Sequence, residues 1–229
     1  MIINEPSRLS GSLTRMPRWM AIPLIALIAF IAACGGSSSA PSGPTASSVS
    51  VQQSDLPNGM VRCDLSGDIQ TFIRNEQSPD PSTSKSAANE WSQAQKNGAV
   101  AGYAAVYADT KSHCSEFANG RNDPAAVPYR LVINFVLQFK DAKSATSTYT
   151  NDSIFGVTAS SLSVSESASI VGSKTGLGAN SVVVSQAISN QTFYIALWQN
   201  KAFDVFLAVL NVDPAAAKKI STSENSRIK

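Results

Sequence analysis

The chain has 229 residues, with 18 lysines and arginines, 16 aspartates and glutamates and one histidine, for a formal net charge of +2. It contains no long run of either sign, so it lacks the clustered Lys and Arg that nucleic acid or an anionic polymer needs as a main partner. With two of its three cysteines expected in a disulfide, the chain keeps too few free thiols beside its one histidine for a Cys/His zinc site, and any histidine-dependent catalysis is confined to a single residue.

The N-terminal segment has three parts. Residues 1–19 carry Arg8, Arg15 and Arg18 against Glu5 alone. The apolar run MAIPLIALIAFIAA then fills residues 20–33. It is shorter than the roughly 20 residues of a bilayer span, it contains Pro23, and it suits the core of a signal peptide, about 7 to 15 residues long. Ile31-Ala32-Ala33-Cys34 resembles the lipobox of bacterial lipoproteins, a likeness confined to about the first 35 residues. The resemblance implies that Cys34 receives a diacylglyceryl thioether, becomes the N-terminus after cleavage, and carries fatty acyl chains of the palmitate type. One chain holds a protein only marginally, and two or more make attachment stable. In a host with two membranes, Gly35 after the cysteine would favour the outer one.

Removing residues 1–33 takes three arginines and one glutamate from the 18 basic and 16 acidic side chains, which leaves 15 of each. Residues 34–58, with GGSSSAPSGPTASS, offer few apolar side chains to bury and read as a flexible Gly/Ser/Pro linker. Residues 59–229 are then enough for a single domain with a sizeable core.

Within that domain, residues 60–65 look extended. A helix is expected over 85–97, with Ser84 or Ser86 as cap and Gly98 at its end. Residues 99–109 alternate as a strand. Residues 129–139, YRLVINFVLQF, form the clearest strand, with Leu131, Ile133, Phe135, Leu137 and Phe139 on one face. Asn134 and Gln138 fall on the other face. Asp141 caps a helix whose stripe is Ala142, Ala145 and Tyr149. Three further strands over 181–188, 192–199 and 202–212 are separated by very short turns, which predicts an antiparallel meander. Asp213-Pro214 opens a last helix. VINFVLQFKDAKSATSTY and VFLAVLNVDPAAAKKIST echo each other as strand, capping Asp and Ala-rich helix. The fold class is therefore α+β, an antiparallel sheet with helices packed on one face. The echo raises the prospect of two related strand-strand-helix halves, although strand-to-helix transitions reuse such caps widely.

Once Cys34 is set aside, Cys63 and Cys114 form an even pair, which outside the cytoplasm reads as a disulfide. Closing a loop of 51 residues stabilises by roughly 4 kcal/mol on the chain-entropy argument. His113 beside Cys114 invites a Cys-His reading, but neighbours on an extended chain point apart. A hydrolase would need a serine, His113 and Asp109 to converge. Asp64 and Asp68 match no calcium loop and are expected to shape a turn around Gly67. GSKTGLG lacks the Lys-Ser/Thr ending of a phosphate loop. Among the aromatic residues, most of which should be core, Trp91, Tyr194 and Trp198 are the candidates for walls of a ligand pocket.

The strand order and the TGLGANSVV turn resemble small extracytoplasmic sensor or ligand-binding lipoprotein domains of bacteria. That likeness transfers no functional residue. The reading is a membrane-anchored, extracytoplasmic, non-enzymatic lipoprotein that binds a small ligand or senses a solute, without cofactor or metal. Its partners would be the membrane through Cys34, and a small molecule or an envelope protein. Two other readings stay open, an envelope protein-protein interaction module and a hydrolase using His113.

Overall fold

Strands Leu131–Phe139 (β4) and Phe203–Leu210 (β8) carry apolar residues on both faces, and every residue of β8 is buried. They pair antiparallel in one unbroken register, from Leu131 opposite Leu210 to Gln138 opposite Phe203. A strand that is apolar on both faces must be covered on both. The rest of the fold supplies the two covers.

The computed structural model describes residues 43–120, 127–163, 169–188 and 190–229. The expected signal peptide (1–33) and Cys34 lie outside these residues. The described residues belong to one compact unit, Ala40–Lys229. Among them, eight strands make one antiparallel sheet. Val61–Arg62 (β1) and Gly67–Asp68 (β2) both pair with Ala99–Ala108 (β3), which pairs with β4. Beyond β8 come Gln191–Asn200 (β7), Ser181–Ile188 (β6) and Ser169–Val171 (β5). The meander β6-β7-β8 follows the sequence expectation closely.

Helices cover both faces of the sheet, which corrects the one-face expectation. Ile69–Glu76 (α2), Pro81–Lys96 (α3), Lys111–Ala118 (α4) and Ala142–Asn151 (α5) contribute to one core, with Leu131, Phe135 and Leu137 of β4 and Phe206 and Ala208 of β8. Ala46–Val49 (α1) and Pro214–Ser226 (α7) contribute to the other, with Val132, Val136, Val205, Leu207 and Trp198. Ala159–Ser163 (α6) is short. The echoing segments thus send α5 and α7 to opposite faces, so the echo does not describe two equivalent halves.

Local chemistry explains the helix starts. Asp80, Asp141 and Asp213 each accept backbone N–H bonds at an N-cap, and Pro81 and Pro214 occupy the first turn. Asp80 therefore starts α3 four residues before the expected helix. Asp68 caps α2 by accepting from the Thr71 amide, rather than only shaping a turn. His113 and Cys114 lie on α4 and not on an extended chain. Gly98, at φ +101°, ends α3 in a conformation that favours glycine. At Gly102 of β3 a Cβ would come within 3.1 Å of Ile69 and 3.2 Å of Trp91, so its bare backbone lets α2 and α3 settle close to the sheet. Cys63 and Cys114 form the expected disulfide, which ties the chain after β1 to α4.

The expected linker does not extend to residue 58. Ala46, Val49 and Val51 are buried in the second core, which offsets the ordering of an otherwise polar segment. Polar groups fix its register. Asn134, fully buried in β4, accepts from the Val51 amide at 3.0 Å. Its own amide donates to the Phe206 carbonyl at 3.1 Å and to Glu224 Oε1 at 2.9 Å. Arg227 donates to the Val49 and Ser50 carbonyls and forms a bidentate pair with Asp55, at 2.9 and 3.1 Å. Asn134→Ala would leave the Val51 amide and a buried carboxyl unpartnered. It is expected to cost roughly 3 kcal/mol, read as a lower urea midpoint at unchanged slope. An unchanged midpoint would show that the network contributes nothing net.

Candidate ligand-binding groove

The period of two along β4 and β8 directs Ile133, Phe135 and Phe206 to the α2–α3 side of the sheet. There they form the floor of a groove of about 510 Å³. Phe72 and Glu76 of α2, spaced four apart, face it from above, and Thr83, Ala87 and Glu90 form the matching stripe on α3. Asp80 sits between the two helices. Phe117 of α4, with Gly120 just beyond it, closes one side, and Phe155 closes another. The volume lies within the roughly 300 to 1,000 Å³ of small-molecule sites.

The rings form a continuous wall. Phe72 meets Phe135 edge to face at 5.1 Å, and Phe155 stacks on Phe135 at 3.7 Å. Phe155 and Gly156 are the central residues of a tight turn between Ile154 and Val157, with φ of 51° and 78°. The left-handed region costs a non-glycine residue about 1 to 2 kcal/mol. Two contacts hold Phe155 in it, the Phe135 stack and the Gly156 amide donating to Glu90 Oε2 at 3.0 Å. Glu90 thus secures the turn that presents Phe155.

The groove is acidic. Among its described lining residues, Glu76, Asp80 and Glu90 are the ionisable side chains and no Lys, Arg or His is present. Asp80 is held down to about 2, first by the Ser82 hydroxyl and then by the Thr83 amide and hydroxyl. Glu76 is only 4% exposed, and its carboxyl makes no hydrogen bond or ion pair with any described residue. Burial first, and then the Asp80 charge, push it up to about 7. Burial also raises Glu90, against the opposing pull of the Gly156 amide.

The residues singled out from sequence lie elsewhere. Trp91 belongs to the first core, and Tyr194 and Trp198 to the second, so the sheet separates them and none lines this groove. Tyr194 hydrogen-bonds Ser221 at 2.7 Å in that second core. His113 Nδ1 is hydrogen-bonded to Asp109 and its ring stacks on Tyr129 at 4.0 Å. Burial pushes Asp109 up, but the bond from His113 and neighbouring groups leave it below the usual range. Asp64 is exposed beside Lys111, and GSKTGLG forms a turn into β6. Among the described residues, no group of three His, Cys, Asp or Glu side chains is placed to hold a metal ion, and no helix is long and apolar enough to cross a membrane. Sequence reasoning missed the groove because its residues come from five separate segments. Its one local signal is the i, i+4 pair Phe72 and Glu76, an apolar stripe ending in an acid.

The sequence matches no protein-family model and no curated protein. Among solved structures it is similar to the extracellular domain of PknH from Mycobacterium tuberculosis. The TM-score is 0.31 at 10% identity, over 58% of this chain and 66% of that one. A likeness at that level carries no functional argument.

Buried acids set the pH response. Asp204 of β8 is fully buried, neither of its oxygens has a partner among the described residues, and burial pushes it up to about 9. Glu224 is likewise raised by burial. A carboxyl raised on folding contributes stability that is full below its unfolded value and lost as pH climbs through its folded one. For Glu76 that window runs from 4.5 to about 7, and for Asp204 from 3.8 to about 9. Thermal unfolding should therefore occur at a higher temperature near pH 5 than near pH 8, by at least about 2 to 4 °C. Asp204→Asn should narrow the gap, and equal midpoints at both pH values would contradict the assignment.

Proposed function

We propose that the protein is a lipid-anchored, extracytoplasmic, non-catalytic domain that holds a small, largely apolar molecule in the groove between α2, α3 and the sheet. The carrying observation is the aromatic cavity of about 510 Å³ into which an unpartnered, 4%-exposed Glu76 faces. Its lining of phenylalanines sets it apart from two clefts of about 460 and 430 Å³ elsewhere on the chain. An unpaired buried polar group is tolerated where something else partners it. A non-catalytic role is supported by Cys114, whose sulfur is committed to the disulfide. His113 does meet Asp109 through Nδ1, as the hydrolase reading requires, but among the described residues no serine hydroxyl is hydrogen-bonded to its ring to complete a Ser-His-Asp set.

The reading is tested by equilibrium dialysis of 2-(1-naphthyl)ethanol against the full chain in zwitterionic lipid nanodiscs, with empty nanodiscs as blank. One saturable site per chain is expected, with a Kd of about 1 mM or tighter for a ligand of this size. Ser86→Trp, a change at an exposed position on the groove's lip, should abolish the site while leaving the circular dichroism spectrum unchanged. Binding untouched by Ser86→Trp would place the ligand elsewhere.

The anchor is tested separately. Cys34→Ala should move the protein from the membrane pellet to the soluble envelope fraction, and continued tight membrane association would refute thioether attachment at Cys34.

A second reading, docking of another envelope protein, draws on the far edge of the sheet. There Ile170 and Val171 of β5 and Ile188 of β6 are 46%, 53% and 53% exposed.

A further inference from the structure

We propose that the groove selects molecules whose apolar body carries a protonated amine or another organic cation. This rests on the small-molecule reading above and names the class of ligand. Glu76, Asp80 and Glu90 face the groove, and no cationic side chain does so among its described lining residues. An anion entering it would meet like charge in a partly desolvated space, whereas a cation would meet its complement.

The three carboxyls are not equivalent. Asp80 is engaged by the amides and hydroxyls of Ser82 and Thr83 as the α3 cap, which fixes its negative charge in place. Glu90 spends one oxygen on the Gly156 amide. The Glu76 carboxyl has no hydrogen-bond partner among the described residues; the residue is 4% exposed, yet its oxygens are not among the fully enclosed unpartnered atoms and so open to the groove. An ionised carboxylate in that position is left to draw its donor from whatever occupies the groove. An ammonium group supplies both the donor and the opposite charge, in a short, charge-assisted bond.

The wall suits the same ligand. The faces of aromatic rings are negative, and a cation within about 6 Å of a ring centroid is attracted to them. Phe72, Phe135 and Phe155 stand within one ring-to-ring network beside Glu76. A bare metal ion would gain little from these rings. The acids are also not gathered into a metal-binding set among the described residues. The fit is to an organic cation whose carbon body covers the phenylalanines and whose charged end reaches Glu76.

The test uses three probes of nearly one shape against the full chain in zwitterionic nanodiscs near pH 8: 2-(1-naphthyl)ethylamine, 2-(1-naphthyl)ethanol and 1-naphthylacetate. The amine should bind at least about tenfold more tightly than the alcohol, and the acetate least tightly. Glu76→Gln should bring the amine to the level that the alcohol reaches on the same variant. Asp80→Asn keeps a good capping residue and should weaken the amine severalfold, which serves if Glu76→Gln does not fold. An alcohol that binds as well as the amine, or an amine preference that survives both substitutions, would overturn cation selection while the groove stands as a binding site. Failure of all three probes would overturn the groove reading itself.

Discussion

Double-sided burial of the β4–β8 pair is the constraint on which the other elements depend. Eight consecutive buried residues in β8 cannot satisfy a sheet with one wet face. The chain meets the demand with α2 to α5 on one side, and with the N-terminal segment and α7 on the other. Asn134 then sits fully buried on a largely apolar strand face. It is tolerated because the Val51 amide, the Phe206 carbonyl and Glu224 use its bonding capacity. The same residue orients the N-terminal segment, so a polar exception in the core doubles as a register mark.

The groove follows from how the first cover is built. α2 and α3 approach the sheet closely at Gly102, where no side chain holds them off. Away from that point, toward Asp80 and the end of α4, phenylalanines line the space between helices and sheet. Phe155 is held in the left-handed region at its rim. A strained aromatic residue fixed by a carboxylate and a ring stack points to a surface shaped for contact rather than for economy of folding.

Much of the architecture was legible because it is periodic. β4, the β6–β8 meander and the caps of α5 and α7 announce themselves by alternation and by Asp or Asp-Pro at helix starts. α2 and α4 have eight residues each, too few for a clear 3.6 pattern, and the disulfide and sheet contacts stabilise what propensity alone would not. The segment around Ala46, Val49 and Val51 looked like linker because the partners that fix it, Tyr107, Asn134 and Arg227, lie 56 to 178 residues away. The site was less legible still. Large aromatic residues such as Trp91 and Trp198 are found mainly in cores, and here they are buried on opposite faces. The groove uses phenylalanines and acids that no single window contains.

The clasp between Arg227 and the Ser50–Asp55 stretch has a consequence for geography. If Cys34 is the point of attachment, the distance available to the domain ends at Thr45, where α1 is capped, and not at residue 58. Eleven residues, however extended, span at most about 40 Å. That is about the width of a domain this size. The fold would then hover within one body length of the lipid headgroups, unable to explore the wider envelope. Its encounters would be limited to molecules that pass along, or emerge from, the membrane surface beneath it.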